Sequence, residues 1–366
     1  MKFSIKQENL VQSLIDVKRI VPTKPQLPIL QAIMIEAKKG KIILSATDLY
    51  TGIKSTVMGV VDQEGTAAVP AQALTEVITS MSPGNIDFEV DQGVLHIKGK
   101  GVFIKIQTFS GEDYPTFPEK QGETVSIKKE DFEQIVEFIT FATAKDDSRP
   151  ILTSVLFNFN ENLEIVATDG FRLTTLNLEN KFPGQQLLVP VKAVHEIARL
   201  QAKIKAEVID FTISDQMKQV FCNFANTEIV IRLMEGEFPP YQRIIPADFS
   251  THLTFDREDL IQALKGAMVF AREASNIVKF QIGEDKMTIT ATSPTLGTHT
   301  SDVLINKKTG QQLQIAFNAL YLMEFLSSVK QSEIWLGLND SLQPAMFRPD
   351  QMLNYRYIVM PFRVND

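Results

Sequence analysis

The chain has 366 residues, of which 44% are hydrophobic and 22% are charged, and its formal net charge is −7. This length exceeds what a single hydrophobic core supports and favours two or three domains. The negative charge argues against a protein that coats DNA by bulk electrostatic attraction, so any contact with nucleic acid must be local or topological.

The composition also restricts cofactors and location. Cys222 is the only cysteine, which excludes an internal disulfide and a cysteine metal cluster, and we expect it to be buried in a strand. The histidines lack the spacing of a metal site, and no glycine-rich phosphate loop occurs, so we predict no metal and no other cofactor. Residues 1–20 do not resemble a signal peptide, and no segment reaches the roughly 18 apolar residues of a membrane-spanning helix, which predicts a cytoplasmic protein.

A short alternating strand followed by an amphipathic helix occurs three times, starting at Lys2, Thr124 and His252. After each start, apolar residues recur at i, i+4 and i+7, which places them on one face of a helix. These triplets are Leu10, Leu14 and Val17, then Phe132, Val136 and Ile139, then Leu260, Leu264 and Ala267.

Two further landmarks follow each start in the same order. A strand ending in Ala-Thr occupies residues 43–48, 164–169 and 288–293. A junction from strand to helix occupies residues 68–73, 188–193 and 315–320. Three landmarks that recur in one order after about 120 residues predict three tandem copies of one domain.

The segments between these landmarks are rich in β-branched and aromatic residues. For example, residues 86–90 and 94–97 alternate on either side of a glycine turn, which predicts antiparallel strands. The predicted fold class is therefore α+β, with three tandem copies of a β-rich domain that carries two helices each. Polar breaks place the copies at residues 1–123, 124–249 and 250–366.

Simple geometry links this repeat to a ring. A domain of this size is about 35 Å across, so a ring of three has almost no hole, whereas six domains from two chains leave a hole about 32 Å wide. A DNA duplex, roughly 20 Å across, would pass through the larger ring. Exposed edge strands give the first and third domains a reason to pair between chains. This geometry permits a ring around DNA, and the choice between this and other assemblies depends on specific residues.

Four segments carry a family resemblance: KPQLPIL at residues 24–30, ATDGFRL at 167–173, EGEFPPYQR at 235–243 and VMPFR at 359–363. In this order along the whole chain, they resemble the bacterial DNA sliding clamps, the β subunits of DNA polymerase III. The resemblance implies half of a six-domain ring, a head-to-tail homodimer with helices lining the hole. Such a ring encircles duplex DNA and tethers the replicative polymerase for processive synthesis, without catalysis, metal or cofactor.

The resemblance also implies a peptide-binding pocket for the replicative DNA polymerase, the clamp loader, repair proteins and other partners. An apolar pocket between the second copy and the C-terminal end of the third would bind a short linear peptide. The second copy would supply Leu152, Thr168, Gly170, Phe171, Arg172, Leu173, Pro239, Arg243 and Ile244. The third copy would supply Asn318, Tyr321, Leu342, Pro344, Met346, Ile358, Met360, Pro361, Phe362 and Arg363.

Two positions depart from the family pattern. Phe171 stands where the family often has histidine, which could alter partner preference. The chain continues with Val364, Asn365 and Asp366 where the family usually stops soon after the arginine, and this extension would border the pocket. On composition alone, the same apolar residues could simply close a junction between domains.

The resemblance and the basic residues together give candidate DNA contacts. Lys24 corresponds to a contact of the family, and Arg149 ends a loop that lies where the second copy's contacts are found. Lys192, Arg199 and Lys203 are basic residues on a predicted helix, where a solvated helix face is the alternative. Sparse positive charge suits a ring that confines DNA without gripping it.

Two rival functions remain open. An enzyme would need an active site at a domain junction; Asp169 is the obvious acid, but a carboxylate before Gly170 more often caps backbone amides in a turn. A peptide-binding adaptor would keep the groove but never encircle DNA, and it would lack the dimer interface.

Overall fold

The computed structural model describes residues 1–146, 148–179, 184–214 and 216–363. Asp147, which belongs to the loop before Arg149, and the extension of Val364, Asn365 and Asp366 lie outside the described residues. The chain divides into two compact units. Unit 1 consists of Met1–Lys129 and Glu196–Leu233, and unit 2 consists of Glu130–His195 and Met234–Asp366.

The three predicted copies follow a common order of elements, with one additional short strand in the first, and each carries two helices within the residues that the structure describes. The first copy comprises β1 (Lys2–Lys6), α1 (Gln7–Lys18), β2 (Ala32–Lys38), β3 (Lys41–Thr47), β4 (Thr51–Met58), β5 (Val60–Gln63), β6 (Gly65–Pro70), α2 (Ala71–Ser80), β7 (Asn85–Asp91), β8 (Val94–Gly99) and β9 (Val102–Gln107). The second comprises β10 (Glu123–Lys128), α3 (Lys129–Phe138), β11 (Ser154–Phe159), β12 (Leu163–Thr168), β13 (Arg172–Leu178), β14 (Gln185–Pro190), α4 (Val191–Ile204), β15 (Val208–Ser214), β16 (Gln219–Phe224) and β17 (Thr227–Arg232). The third comprises β18 (Thr251–Asp256), α5 (Arg257–Ala271), β19 (Ile277–Ile282), β20 (Lys286–Ser293), β21 (Gly297–Thr309), β22 (Leu313–Asn318), α6 (Ala319–Ser328), β23 (Glu333–Leu338), β24 (Ala345–Pro349) and β25 (Tyr355–Val359).

The predicted helix faces are correct in α1 and α5 but only partly correct in α3. All three predicted apolar residues of α1 and of α5 are buried. In α3 the buried residues are Phe132, Ile135 and Phe138, and Val136 is only half-buried. The helix ends at Phe138, so Ile139 is buried beyond its end rather than on its face.

The helix starts follow from local chemistry. The Asp256 side chain accepts hydrogen bonds from the backbone amides of Glu258 and Asp259 and thereby caps α5. Asn318 caps α6 in the same way, since its Oδ1 accepts a hydrogen bond of 2.9 Å from the Leu320 amide. Asn318, expected in the peptide pocket, therefore has a structural role at this position.

Unit 1 contains two antiparallel sheets. Their strand orders are β5-β1-β7-β8-β9 and β10-β15-β16-β17-β4-β3-β2-β6. The second sheet is continuous across two copies because β17, the last strand of the second copy, pairs with β4 of the first. In this register Thr227 lies opposite Ser55 and Ile231 lies opposite Thr51.

Unit 2 contains one 12-stranded sheet that is also continuous across two copies. Its order is β14-β11-β12-β13-β25-β24-β23-β18-β21-β20-β19-β22. The connection is again made by the last strand of one copy, because β25 of the third copy pairs with β13 of the second. Arg172 lies opposite Val359 and Leu173 opposite Ile358, and this strand pair positions the candidate site.

Candidate peptide-binding site

The turn between β12 and β13 is closed by its own side chains. The Thr168 hydroxyl donates to the Arg172 carbonyl at 2.5 Å and accepts from the Gly170 amide at 3.0 Å. Asp169 Oδ1 accepts from the amides of Phe171 at 2.9 Å and Arg172 at 3.1 Å. Thr168 and Asp169 therefore fix the backbone that presents Phe171, and the capping interpretation of Asp169 is confirmed.

Gly170 is favoured at this turn by its backbone conformation. Its φ of +92° lies in the left-handed region, which side chains disfavour. A Cβ at this position would also lie 2.8 Å from Nη1 of Arg149. The guanidinium of Arg149, an exposed residue expected to contact DNA, thus lies directly beside the turn of the candidate peptide site.

Arg172 was expected to contact a peptide, but the structure buries its side chain, which is only 1% exposed. Its Nε donates to Asp169 Oδ2 at 3.0 Å, and its Nη2 donates to the Phe141 carbonyl at 2.7 Å. The guanidinium stacks on the Tyr321 ring at 4.5 Å and forms an ion pair with Glu324. Arg172 therefore holds the turn from beneath, and its predicted part in peptide binding would be indirect.

The charges around Arg172 stabilise one another. Burial opposes the charge on Arg172, but Tyr357, Glu324 and Asp169 together raise the pKa of its guanidinium above the ordinary value. Burial likewise opposes the charge on Glu324, yet its hydrogen bond from Lys145, at 2.8 Å, and Arg172 hold the pKa of its carboxyl below the usual range. Tyr321, also expected in the pocket, is half-buried over this network, and burial raises the pKa of its hydroxyl.

The opposite face of the β13–β25 pair carries an apolar floor. Leu173 and Ile358 lie opposite each other, and Met346 on β24 lies opposite Ile358, so the three form one row. Leu173 and Ile358 are buried, and Met346 packs against them. The predicted residues Leu173, Ile358 and Met346 are therefore brought together, on the face away from Arg172 and Tyr321.

Sequence reasoning missed several residues of this floor. Tyr241 is buried in it, and Phe238 packs against it with their rings in an edge arrangement at 6.1 Å. The Tyr241 hydroxyl donates to Glu164 at 2.5 Å, and burial, followed by this carboxylate, raises the pKa of that hydroxyl. Phe238 and Tyr241 could have been identified from the sequence, because they flank Pro239 and Pro240 in the segment at residues 235–243 that carries the family resemblance. The floor also includes Leu156, Val166 and Leu188, with Ile151, Met234 and Ile245 packed against it.

Four predicted apolar residues remain exposed and form what we call the rim: Phe171, Ile244, Leu342 and Met360. Phe171 is 53% exposed and Met360 is 38% exposed. The Met360 amide donates to the Phe171 carbonyl at 2.9 Å, so these two residues extend the β13–β25 pairing to its end. Exposed apolar side chains next to a buried apolar floor are suited to bind the anchors of a peptide.

The remaining predicted residues differ in their exposure. Leu152 is buried in a short 3-10 helix, Pro150–Thr153. Pro344, Pro361 and Phe362 are half-buried, while Pro239, Arg243 and Arg363 are exposed. The Phe362 amide donates to the Ala316 carbonyl at 2.8 Å, which fixes the start of the C-terminal segment.

The candidate DNA contacts fall into two groups. Lys24, Arg149 and Lys192 are exposed. In contrast, Arg199 Nη1 lies 2.9 Å from Asp16 of α1 and its Nη2 lies 2.6 Å from Glu196, while Lys203 also forms an ion pair with Asp16. Asp16 and Glu196 are buried, so Arg199 and Lys203 neutralise them and fasten the second half of α4 to α1. The DNA contacts of Arg199 and Lys203 stay predictions, and in the structure both side chains are engaged in these ion pairs.

Cys222 is fully buried in β16, as expected, and burial raises the pKa of its thiol. Among the described residues, no group of three or more His, Cys, Asp or Glu side chains is arranged to bind a metal ion. Within the same part of the chain, no helix has the length and apolar character needed to cross a membrane.

Comparison with known families accounts for this architecture. Models of the N-terminal, central and C-terminal domains of the DNA polymerase III beta subunit match residues 1–118, 126–240 and 242–363. The chain belongs to the DNA polymerase III beta subunit family. The resemblance found in the sequence is confirmed, and so is the fold class of three tandem α+β copies.

Relatives and solved structures of this clamp family match over the full length. The chain is 28% identical over 373 residues to the beta sliding clamp of Chlamydia muridarum, covering 100% of both chains. It is 25% identical to the beta sliding clamp of Staphylococcus aureus, covering 99% of each. The crystal structure of the Pseudomonas aeruginosa DNA polymerase sliding clamp with ligand matches with a TM-score of 0.92 at 26% identity. The crystal structure of the Thermotoga maritima DNA polymerase III beta subunit matches with a TM-score of 0.90 at 27% identity. Each match covers 100% of this chain and 100% of the solved chain.

Proposed function

We propose that this clamp-family protein forms a head-to-tail homodimeric ring that encircles duplex DNA and tethers the replicative polymerase for processive synthesis. The observation that carries the proposal is the ordered match of three beta subunit domain models along the whole chain. The three copies, with boundaries near residues 123 and 249, would form half of the six-domain ring. The protein would act in the cytoplasm, without catalysis, metal or cofactor.

The strand pairing within the chain supports the head-to-tail arrangement. In both junctions the last strand of one copy pairs with the strand that follows the Ala-Thr strand of the preceding copy: β17 with β4, and β25 with β13. By the same rule, β9 of one chain would pair with β21 of a second chain. β9 is an edge strand of its sheet among the described residues. Phe103 on β9 is 61% exposed and Leu304 on β21 is 66% exposed, which supplies apolar surface for this interface.

Contact with DNA would be sparse and local. The net charge of −7 disfavours a tight electrostatic grip, whereas a closed ring needs none. Lys24, Arg149 and Lys192 are exposed and available for phosphate contacts. Arg199 and Lys203 are assigned to the structural network around Asp16 instead.

Partner proteins would bind through a short peptide at the candidate site in unit 2. The rim residues would contact its apolar anchors, with the floor of Leu173, Ile358 and Met346 beneath them. The polymerase, the clamp loader and repair proteins would compete for this one surface. Arg172 would act indirectly, by fixing the turn that carries Phe171.

Native mass and DNA topology test the proposal together. We expect a particle of twice 41.1 kDa that is retained on nicked circular DNA and lost when that DNA is linearised, because a ring slides off free ends. A Phe103→Asp variant should fall to the monomer mass and lose retention on the circle, and Lys38→Asp, an exposed residue on β2 rather than on the proposed interface strands, serves as the control for an added aspartate. Equal retention on both DNA forms would contradict encirclement, and a wild-type monomer that binds partner peptides would favour the adaptor.

A further inference from the structure

A cavity of about 480 Å³ adjoins the floor of the candidate peptide site in unit 2. Its walls include Ile245 and Met346, which also pack against the floor, so the cavity and the site are continuous. Phe249 and Trp335 give it an aromatic side, with their rings 5.4 Å apart. The other prominent lining residues are Arg348 and Arg356, and we call this space the arginine cavity.

Strand register places the two arginines side by side. Met346 lies opposite Ile358 and Phe347 lies opposite Tyr357, so continuing the register brings Arg348 opposite Arg356. Both arginines lie on the face that carries Met346 and Ile358, displaced by two residues, which is roughly 7 Å along the strands. Like charges at opposing positions of neighbouring strands destabilise a sheet, so an anion between them would relieve this repulsion.

The two guanidinium groups differ in their surroundings. Arg348 stacks on Trp335 at 4.7 Å and donates to the Pro349 carbonyl at 3.2 Å. Burial lowers the pKa of Arg348, and the nearby Asp350 counteracts this effect. For Arg356, no carboxylate in the described part of the chain lies within ion-pairing distance. Arg356 is therefore a half-buried cation without an ion-pair partner among the residues that the structure describes.

The carboxylate of Glu164, which also lines the cavity, is already engaged. It accepts the Tyr241 hydroxyl hydrogen bond at 2.5 Å and a hydrogen bond from the Asn158 amide at 3.5 Å. Glu164 therefore serves the floor of the peptide site. The charge balance of the cavity leaves an excess of positive charge from Arg348 and Arg356.

We infer that the arginine cavity binds an acidic side chain, aspartate or glutamate, that flanks the apolar anchors of a bound partner peptide. This inference rests on the proposed peptide-binding function and extends it by one specific contact. A carboxylate between Arg348 and Arg356 would make charge-assisted hydrogen bonds with both. The apolar anchors would occupy the rim and floor, with Met346 between the two parts of the site.

Selection from a displayed library of randomised peptides tests this inference on the full-length protein. Wild type, Arg356→Gln and Met360→Ala are used as baits, with Arg272→Gln as a control that removes an exposed arginine outside the cavity. Wild type and Arg272→Gln should enrich apolar anchors together with an acidic residue at a fixed spacing. Arg356→Gln should enrich the same anchors without the acidic preference, and Met360→Ala should lose the anchors.

The outcomes separate this inference from the proposed function. Apolar anchors without any acidic preference in wild type would overturn the inference and leave peptide binding intact. Failure to enrich anchors at all would refute both. An unchanged melting temperature of Arg356→Gln would exclude misfolding as the cause of an altered peptide preference. If Arg356→Gln is destabilised, Arg348→Gln takes its place and should show the same loss of the acidic preference.

A labelled peptide selected on wild type then measures the size of the effect by fluorescence anisotropy. Changing its acidic residue to the matching amide should weaken binding to wild type roughly tenfold to a hundredfold. The same change should have little effect on Arg356→Gln, because the partner of the carboxylate is already gone. Equal losses for both proteins would contradict a contact between the acidic residue and the arginine cavity.

Discussion

Replacing Arg172 with methionine tests whether this residue supports the candidate site from beneath. Methionine keeps much of the length of the arginine side chain but has no charge and no hydrogen-bond donor. It therefore removes the hydrogen bonds to Asp169 and to the Phe141 carbonyl, and it removes the ion pair with Glu324. The carboxylates of Asp169 and Glu324, which are both largely buried, would then lose the cation that they share. We expect unit 2 to be destabilised and the turn that carries Phe171 to lose its fixed position.

The size of the expected destabilisation in Arg172→Met follows from the burial of the ion pairs. Breaking a buried ion pair costs about 3–5 kcal/mol. Asp169 and Glu324 keep 14% and 34% of their side-chain surface exposed, so water partly compensates and the lower end of this range applies. A loss of about 3 kcal/mol in a unit of this size lowers the melting temperature by roughly 6–12 °C.

Calorimetry on the full-length protein measures this effect, with Arg149→Met as the control, because Arg149 lies beside the same turn but is exposed. Glu324→Gln should show a smaller loss, and the double variant should lose less than the sum of the two because the residues share one ion pair. Partner-peptide affinity should fall in Arg172→Met as well. An Arg172→Met protein that melts within about 1 °C of wild type would refute the assigned role.

Three further predictions concern the pocket, acid stability and DNA. Met360→Ala should weaken partner-peptide binding about tenfold, and deletion of residues 360–366 should abolish it while the native mass stays that of the dimer; unchanged peptide affinity would exclude the site. The pKa of Glu324 is lowered, so its stabilising contribution is complete near neutral pH and is lost as pH falls through the folded pKa. The melting difference between wild type and Glu324→Gln should therefore stay the same from pH 7 to about 5 and shrink as pH falls further, and a difference that stays constant down to about pH 3 would contradict the ion pair. Lys24→Gln should reduce the salt dependence of DNA retention, whereas Arg199→Gln should lower the melting temperature of unit 1 and leave retention unchanged; the opposite pattern would reverse their roles.

The repeat was readable from the sequence because each landmark is a local pattern. The Ala-Thr strand ends and the strand-to-helix junctions appear in the structure as β3, β12 and β20, and as β6, β14 and β22 with their helices. The error in α3 has a local cause as well. Phe132, Ile135 and Phe138 are spaced by three, and this helix ends one residue before Ile139, which the fixed i, i+4, i+7 pattern did not allow for.

The roles of charged residues were not readable, because they depend on partners distant in sequence. Arg199 is predicted from the sequence as a DNA contact on a helix, whereas its partner Asp16, 2.9 Å away, lies on another helix far away in the sequence. Arg172 lies next to Phe171 and Leu173 in sequence, but strand alternation turns its side chain to the opposite face from Leu173, where Glu324 and Tyr321 bury it. A family motif identifies the segment, whereas the face of each residue requires the strand register.

The junction between the first two copies has the same backbone frame as the peptide site. Thr47 donates to the Thr51 carbonyl at 3.1 Å, as Thr168 donates to that of Arg172 at 2.5 Å. The Arg232 amide donates to the Tyr50 carbonyl at 2.7 Å, as the Met360 amide donates to that of Phe171. The frame is therefore a property of the repeat and does not itself create a binding site.

Side chains distinguish the two junctions. Gly52 takes the place of Leu173 in the first, and a Cβ there would lie 2.5 Å from the Phe117 ring, so that ring already covers the strand. The space left beside Phe117 and the first turn is about 120 Å³. A space of this size holds one side chain rather than a peptide. The repeat thus provides two equivalent turns: the Phe117 ring covers the strand after the first, and the second is the one at which we propose that a partner peptide binds.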